Sequence, residues 1–151
     1  MAEKKRKEVF VEGPISPAFI SQSIEKHATK HDIGAHSLFL GQVRADEREG
    51  LKVAAIDYSC YREMADEVFH AIREEAFLRY SLTCLHIHHS LGSVKVGEIS
   101  LFVFTSSKHR RDALDACDFL VEEIKRRAPV WGKEVMENEE FEWKKSVTSD
   151  G

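Results

Sequence analysis

The spacing of apolar positions changes period several times along the chain, and each change marks an element. Val9 and Val11 predict a short first strand. Ser16-Pro17 then reads as an N-cap followed by proline at the first helical position. Phe19, Ile20, Ile24 and His27 share one face of that helix, which is predicted to run to about Lys30. Ala35 to Arg44 is strand-like, with Gly41 marking a bulge, and a polar turn from Asp46 to Gly50 leads into a strand from Leu51 to Tyr61. Ala65, Val68, Phe69, Ile72 and Ala76 recur at spacings of three and four, the core stripe of a helix over about Arg62 to Arg79. Leu82 to Leu91 and Val94 to Phe104 read as the two strands of a hairpin turning at Gly92-Ser93. A third helix is expected to begin at Ser106 or Ser107 and to bury Ala113, Leu114, Cys117, Leu120, Val121 and Ile124. It stops before Pro129, whose ring disfavours helical backbone at the preceding residue. Val130 to Met136 and Phe141 to Lys145 are expected as closing strands around an acidic turn at Glu137-Asn138-Glu139-Glu140.

Pairs of strands between single helices favour an α+β domain with a largely antiparallel sheet over a doubly wound parallel one. At 151 residues the chain fits one domain that buries roughly 70% of its unfolded surface. Nothing divides it: no repeat, low-complexity tract or linker interrupts residues 8–146, with a basic tail at 1–7 and a polar one at 147–151. The run Lys4-Lys5-Arg6-Lys7 has the composition of a solvated tail or a small nucleic-acid patch. The net charge of −4 argues against nucleic acid as a partner. No stretch approaches the roughly 20 apolar residues of a membrane span, and no apolar segment follows the basic start, so a cytoplasmic protein is expected. Cys60, Cys84 and Cys117 form no C-x-x-C pair and read as small buried hydrophobes.

Charge placement says more than the total. Ser107-Lys108-His109-Arg110-Arg111 sets cationic side chains at the start of the third helix, where the dipole favours anions. Either an anion binds there, on free backbone N–H groups and side chains together, or Asp112 and Asp115 offset a solvated basic turn. Lys125-Arg126-Arg127 closes the same helix and complements its dipole. Arg44 ends a strand, and Lys133 follows Pro129-Val130-Trp131-Gly132; neither carries a signal alone. His86 and His88 share one face of a strand and could contribute to a zinc site, but no acidic or cysteine partner stands at a recognisable spacing. Glycine-rich phosphate loops and G-x-S-x-G elbows are absent.

Several segments, taken in order, carry a resemblance. They are Phe39-Leu40-Gly41-Gln42-Val43-Arg44, then Tyr58-Ser59-Cys60-Tyr61-Arg62-Glu63-Met64-Ala65, then Gly97-Glu98. Ser107-Lys108-His109-Arg110 with Ala113, Lys125-Arg126-Arg127-Ala128-Pro129-Val130-Trp131 and Trp143 complete the set. Together they resemble the large, catalytic subunits of molybdopterin synthase, over about Gly34 to Trp143. The resemblance implies an α/β-hammerhead fold with about three helices. It also implies a homodimer that binds two copies of a small, ubiquitin-like sulfur-carrier subunit, giving a heterotetramer. The carrier's thiocarboxylated Gly-Gly tail would deliver sulfur to cyclic pyranopterin monophosphate, building the dithiolene of molybdopterin with no metal or other cofactor.

Residue by residue, the resemblance places Arg44 and Phe39 of the F-x-G-x-V-R segment, together with His109 and Arg110, around the anionic substrate and tail. Lys125 matches the lysine set against the carrier's terminal carbonyl. Most members carry a second active-site lysine directly after the tryptophan, where this chain has Gly132. Lys133 can supply that amine only if Gly132 lets the backbone bulge, because a one-residue slip in a strand reverses the face. Ser59 stands where glutamate is usual, and Ser90 where arginine follows histidine. Two rival readings remain at this level. One is a non-catalytic anion- or carrier-binding module of the same fold; the other is a metal hydrolase built on His86 and His88.

Overall fold

The computed structural model describes residues 8–139. Along them run β1 (Phe10–Glu12), α1 (Pro17–Lys26), β2 (Ala35–Gln42), β3 (Glu47–Arg48), β4 (Leu51–Cys60), α2 (Arg62–Arg79), β5 (Cys84–Lys95), β6 (Ile99–Ser107), α3 (Arg110–Arg127) and β7 (Val130–Met136). The strands form one seven-stranded sheet in the order β2-β6-β5-β4-β3, with β7 on β4 and β1 on β5. Of these pairings only β1 with β5 is parallel, so the α+β, largely antiparallel expectation is met. Trp143 and the expected strand at Phe141 to Lys145 lie outside the described residues.

Both faces of the sheet are covered. Leu101 and Val103 of β6 face Phe69 and Ile72 of α2 and Leu120 and Ile124 of α3. The alternate residues Phe102 and Phe104 face Ile15 and Ile20 on the α1 side. Burial on two sides is why β6 reads as a continuous apolar run rather than an alternating one. Of the expected α3 stripe, Leu114 is instead exposed, and Ala116 takes its place in the core.

Three boundaries differ from the sequence expectation, each for a local reason. The α1 helix starts as expected, with the Ser16 hydroxyl accepting the Phe19 N–H at 3.1 Å, but it ends at Lys26 and gives way to turns. Gly92-Ser93 is not a turn. Gly92 takes φ +81° inside β5, where the strand changes partners: Cys84–His89 pair with β6 and Gly92–Lys95 with β4. The chain reverses instead at Gly97, φ +89°, because both glycines adopt the left-handed backbone and only one of them ends the strand. Finally, Ser106 and Ser107 are fully buried at the end of β6, and His109 is the residue that precedes α3.

Candidate functional site

The cleft with the strongest claim to chemistry lies where β2, β4, β6 and β7 approach the carboxyl end of α3. It has a volume of about 510 Å³ and is lined by Phe39 to Arg44, Asp46, Arg48, Ile56, Tyr58, Ser100, Lys125 and Glu134. A bulge builds its floor. Gly41 pairs with Leu101 and Gln42 with Ile99, so Ser100 is the extra residue on β6. The Ser100 hydroxyl accepts from the Tyr58 hydroxyl at 3.1 Å and donates to the Gly41 carbonyl at 3.5 Å, which fixes the Tyr58 ring across the cleft.

The basic groups differ in how far they are already engaged. Arg44 reaches Asp46 at 3.3 Å with its side chain 81% exposed; Arg48 shares Asp46 at 3.7 Å and pairs with Glu134 at 3.3 Å. In the Lys125-Arg126-Arg127 run, Arg126 is held by Glu123, and Arg127 by Glu75 and Glu123. Lys125 alone of the three lines the cleft, and among the described residues it makes no ion pair or hydrogen bond. Behind it lies His89, whose Nδ1–H donates to the Ser90 carbonyl at 2.8 Å and whose ring stands 5.3 Å edge-on from Tyr58. Burial holds the His89 pKa below its usual value, the bond to Ser90 opposes that shift, and the charge on Lys125 adds to it.

The expected site residues divide into three groups. Phe39, Arg44 and Lys125 come together in the cleft. His109 and Arg110 stand exposed at the opposite end of α3. Lys125 stands fifteen residue steps along the helix from Arg110, about 22 Å at 1.5 Å per residue. Gly34 holds that far end close, its N–H donating to the Ser107 carbonyl at 2.9 Å while its α-carbon abuts the Lys108 backbone.

Lys133 forms the third group. The pairing of β7 with β4 is regular from Ile56 to Cys60, with Gly132 opposite Tyr58, Lys133 opposite Asp57 and Glu134 opposite Ile56. A Cβ on Gly132 would point at Ile56 and Tyr58, which line the cleft, as does Glu134. Lys133 therefore faces away from Lys125, and the bulge needed to bring it round does not form.

Tyr58, Ser100, Arg48 and Glu134 line the cleft and His89 lies behind it, and the sequence alone assigned none of them to the site. Only Tyr58 and His89 fell in segments that carried the resemblance or its departures. The others depend on cross-strand register, which no linear pattern exposes. The Ser90 hydroxyl, at the position where arginine is usual, is buried without a hydrogen-bond partner among the described residues.

Comparison with known proteins follows the same lines. A molybdopterin synthase catalytic subunit of Pyrococcus abyssi is 44% identical over 108 residues, 72% of each chain. One from Oryza sativa subsp. indica is 40% identical over 124 residues, 78% of this chain and 63% of that longer one. Among solved structures, molybdopterin synthase from Staphylococcus aureus superposes with a TM-score of 0.75 at 29% identity, covering 89% of this chain and 94% of that one. A Helicobacter pylori complex of subunits 1 and 2 of molybdopterin-converting factor shares the fold, with a TM-score of 0.74 at 22% identity over 86% of this chain and 85% of that one. The family described as MoaE protein matches residues 12–127, and this chain belongs to it.

Proposed function

We propose that this protein is the catalytic, sulfur-transferring subunit of a molybdopterin synthase. The observation that carries the reading is Lys125, a lysine without an anionic partner among the described residues, lining a cleft beside Arg44 and Tyr58. In this reading the thiocarboxylated tail of a small carrier subunit enters the cleft. The tail's sulfur displaces an oxygen substituent of the pterin side chain, and water then adds to the terminal acyl carbon. The Lys125 ammonium stabilises the oxyanion formed there before the carbon–sulfur bond breaks and the carrier leaves as a carboxylate. In its neutral form the same amine would attack the acyl carbon and trap the tail. Arg44 is held only by an exposed pair to Asp46, an interaction worth ~0–1 kcal/mol, so an incoming phosphate or carboxylate can take it over.

His109 and Arg110 enter through assembly. At about 22 Å from Lys125 along one helix, they reach a cleft of this size only if a second copy presents the amino end of its α3 to it. This supports a homodimer, and with one carrier per cleft a heterotetramer. Lys133 has no part in the reading, because it faces the other side of β7.

The test is molybdopterin formation from cyclic pyranopterin monophosphate and thiocarboxylated carrier. Lys125→Ala is expected to abolish product while leaving the fold and dimer intact; wild-type turnover in that variant refutes the assignment. Gly132, where most of the family carries lysine, favours the rival of a non-catalytic carrier-binding module. Tight carrier binding by the wild-type protein without any conversion of the pterin would establish that rival.

A further inference from the structure

A second constellation lies at the other end of β6, on the face of the sheet that α1 covers. His27, just past the end of α1, Cys84, at the start of β5, and His86, two residues further, bring one ligand atom each to within 4.8 Å of one another. His27 and Cys84 are buried and His86 is half-buried. The two Nε2 atoms are 3.1 Å apart, with the imidazole rings crossed at 75°. Cys84 pairs with Ser106, which stands six residue steps along β6 from Ser100 in the cleft, about 20 Å of strand.

We propose that His27, Cys84 and His86 form a binding site for a zinc-class transition-metal cation. The donor set fits, since two imidazoles and a thiol match the borderline-soft preference of such ions, and three protein ligands leave a fourth position open. The distances fit as well. With Zn–N of about 2.1 Å and Zn–S of about 2.3 Å, tetrahedral angles place ligand atoms about 3.3–3.7 Å apart. At 3.1 Å the two imidazole nitrogens stand a few tenths of an ångström inside that spacing, so small side-chain rotations that part them and bring the sulfur nearer complete the set.

Two outer contacts prepare the ligands. His27 Nδ1–H donates to the Ser23 carbonyl at 2.7 Å, which leaves Nε2 as the lone-pair nitrogen. Without a cation, His86 supplies the single proton that the facing nitrogens must share, and a metal ion takes that proton's place. The Lys30 ammonium donates to Cys84 Sγ at 2.8 Å, which orients the sulfur at the edge of the site. Lys30 is exposed and can release the sulfur into solvent-side freedom when the cation arrives. The site would tie the end of α1 to β5, beside the small cluster in which Ile20 of α1 packs on Phe102 and Phe104 of β6. Sequence spacing pointed to His86 with His88. The structure replaces His88, which stacks on Phe102 at 5.8 Å, with His27 and Cys84 from other elements.

The experiment titrates untagged, chelator-treated full-length protein with Co²⁺, then displaces it with Zn²⁺. The expected result is one equivalent in a tetrahedral site, with a sulfur-to-cobalt charge-transfer band in the near ultraviolet. Cys84→Ser should remove the band, and Cys84→Ser and His27→Gln should each weaken Zn²⁺ binding at least tenfold; Cys60→Ser should change neither property. Zn²⁺ should raise the Tm of the wild type and of Cys60→Ser, but not that of His27→Gln. An octahedral spectrum without the thiolate band in the wild type, or a band that survives Cys84→Ser, overturns the site. So does weak, superstoichiometric binding that His27→Gln leaves unchanged. The wild-type spectrum decides even if one variant fails to fold.

Discussion

Gly132 occupies the position where the family resemblance implies a lysine, and the structure says what placing a side chain there would cost. An added Cβ would lie 2.7 Å from Ile56 Cγ2, about 1 Å inside ordinary carbon–carbon contact. The methyl it meets is on a β-branched side chain with one stiff rotamer choice, so it cannot simply swing aside. Overpacking of this kind costs ~1–3 kcal/mol, while replacing glycine in a strand returns ~0.5–1 kcal/mol of backbone entropy. Gly132→Ala should therefore destabilise by about 0.5–2 kcal/mol. Ile56→Ala should lose about 1–2 kcal/mol, less than the ~2–5 kcal/mol of a fully buried truncation because the position is half-buried. In the double variant the clash disappears, so the two losses should fall short of additivity by about 1 kcal/mol or more. Urea unfolding measures this directly, as shifts in midpoint at constant slope. Additivity within about 0.5 kcal/mol would refute the contact. The functional consequence is that Gly132→Lys alone should not raise turnover, whereas Gly132→Lys with Ile56→Ala gives the new amine room to enter the cleft.

The remaining predictions concern the far end of α3 and the buried histidine. Gly34→Ala would drive a methyl group into the Lys108 backbone oxygen and break the Gly34 N–H bond to Ser107. Overpacking plus one lost hydrogen bond amounts to about 2–4 kcal/mol, or a Tm lower by roughly 6–12 °C by circular dichroism; a drop under about 2 °C would mean the backbones are not in contact. His89 has a folded pKa below its unfolded value, so the unfolded chain takes up the proton first. Stability should be full above about pH 6.5 and fall as pH drops through that value toward the folded pKa. Burial shifts His36 in the same direction, with the neighbouring His27 charge adding to it, so the loss has two sources. His89→Gln should make the fall in Tm between pH 7.5 and pH 5.5 shallower but not abolish it, and an unchanged fall would refute His89 as a source.

The sequence exposes the fold where one element has one periodicity. The α2 stripe of Ala65, Phe69, Ile72 and Ala76 is buried as its spacing requires, because a helix on one face of a sheet has a single core side. Legibility fails at β5, whose twelve residues serve three partners: β6, β4 and β1. A glycine inside such a strand looks the same as a glycine that ends it. The failure at Ser106 and Ser107 has another origin. Both hydroxyls suit a helix N-cap locally, but burial on β6 and bonds such as Ser106 Oγ to His36 Nδ1 at 2.7 Å satisfy them in the strand instead. In each case a long-range partner overrode a short-range signal.

The cleft shows the same division at the level of chemistry. By the dipole argument, Lys125, Arg126 and Arg127 are equivalent cations at a helix carboxyl end. Which of them is held depends on the anions each can reach. Glu123 lies three and four residues before the two arginines, within side-chain range on the same helix, and Glu75 reaches Arg127 from α2. Lys125 is two residues from Glu123, on a different face of the helix, and Glu122, three residues before it and within the same range, makes no ion pair with it among the described residues. Lys125 is itself exposed and lines the cleft. Glu123 and Glu75 engage the arginines, while no acidic side chain among the described residues pairs with the lysine. A net charge of −4 is compatible with a local anion site because pairing, not total charge, determines which cation remains to meet a ligand.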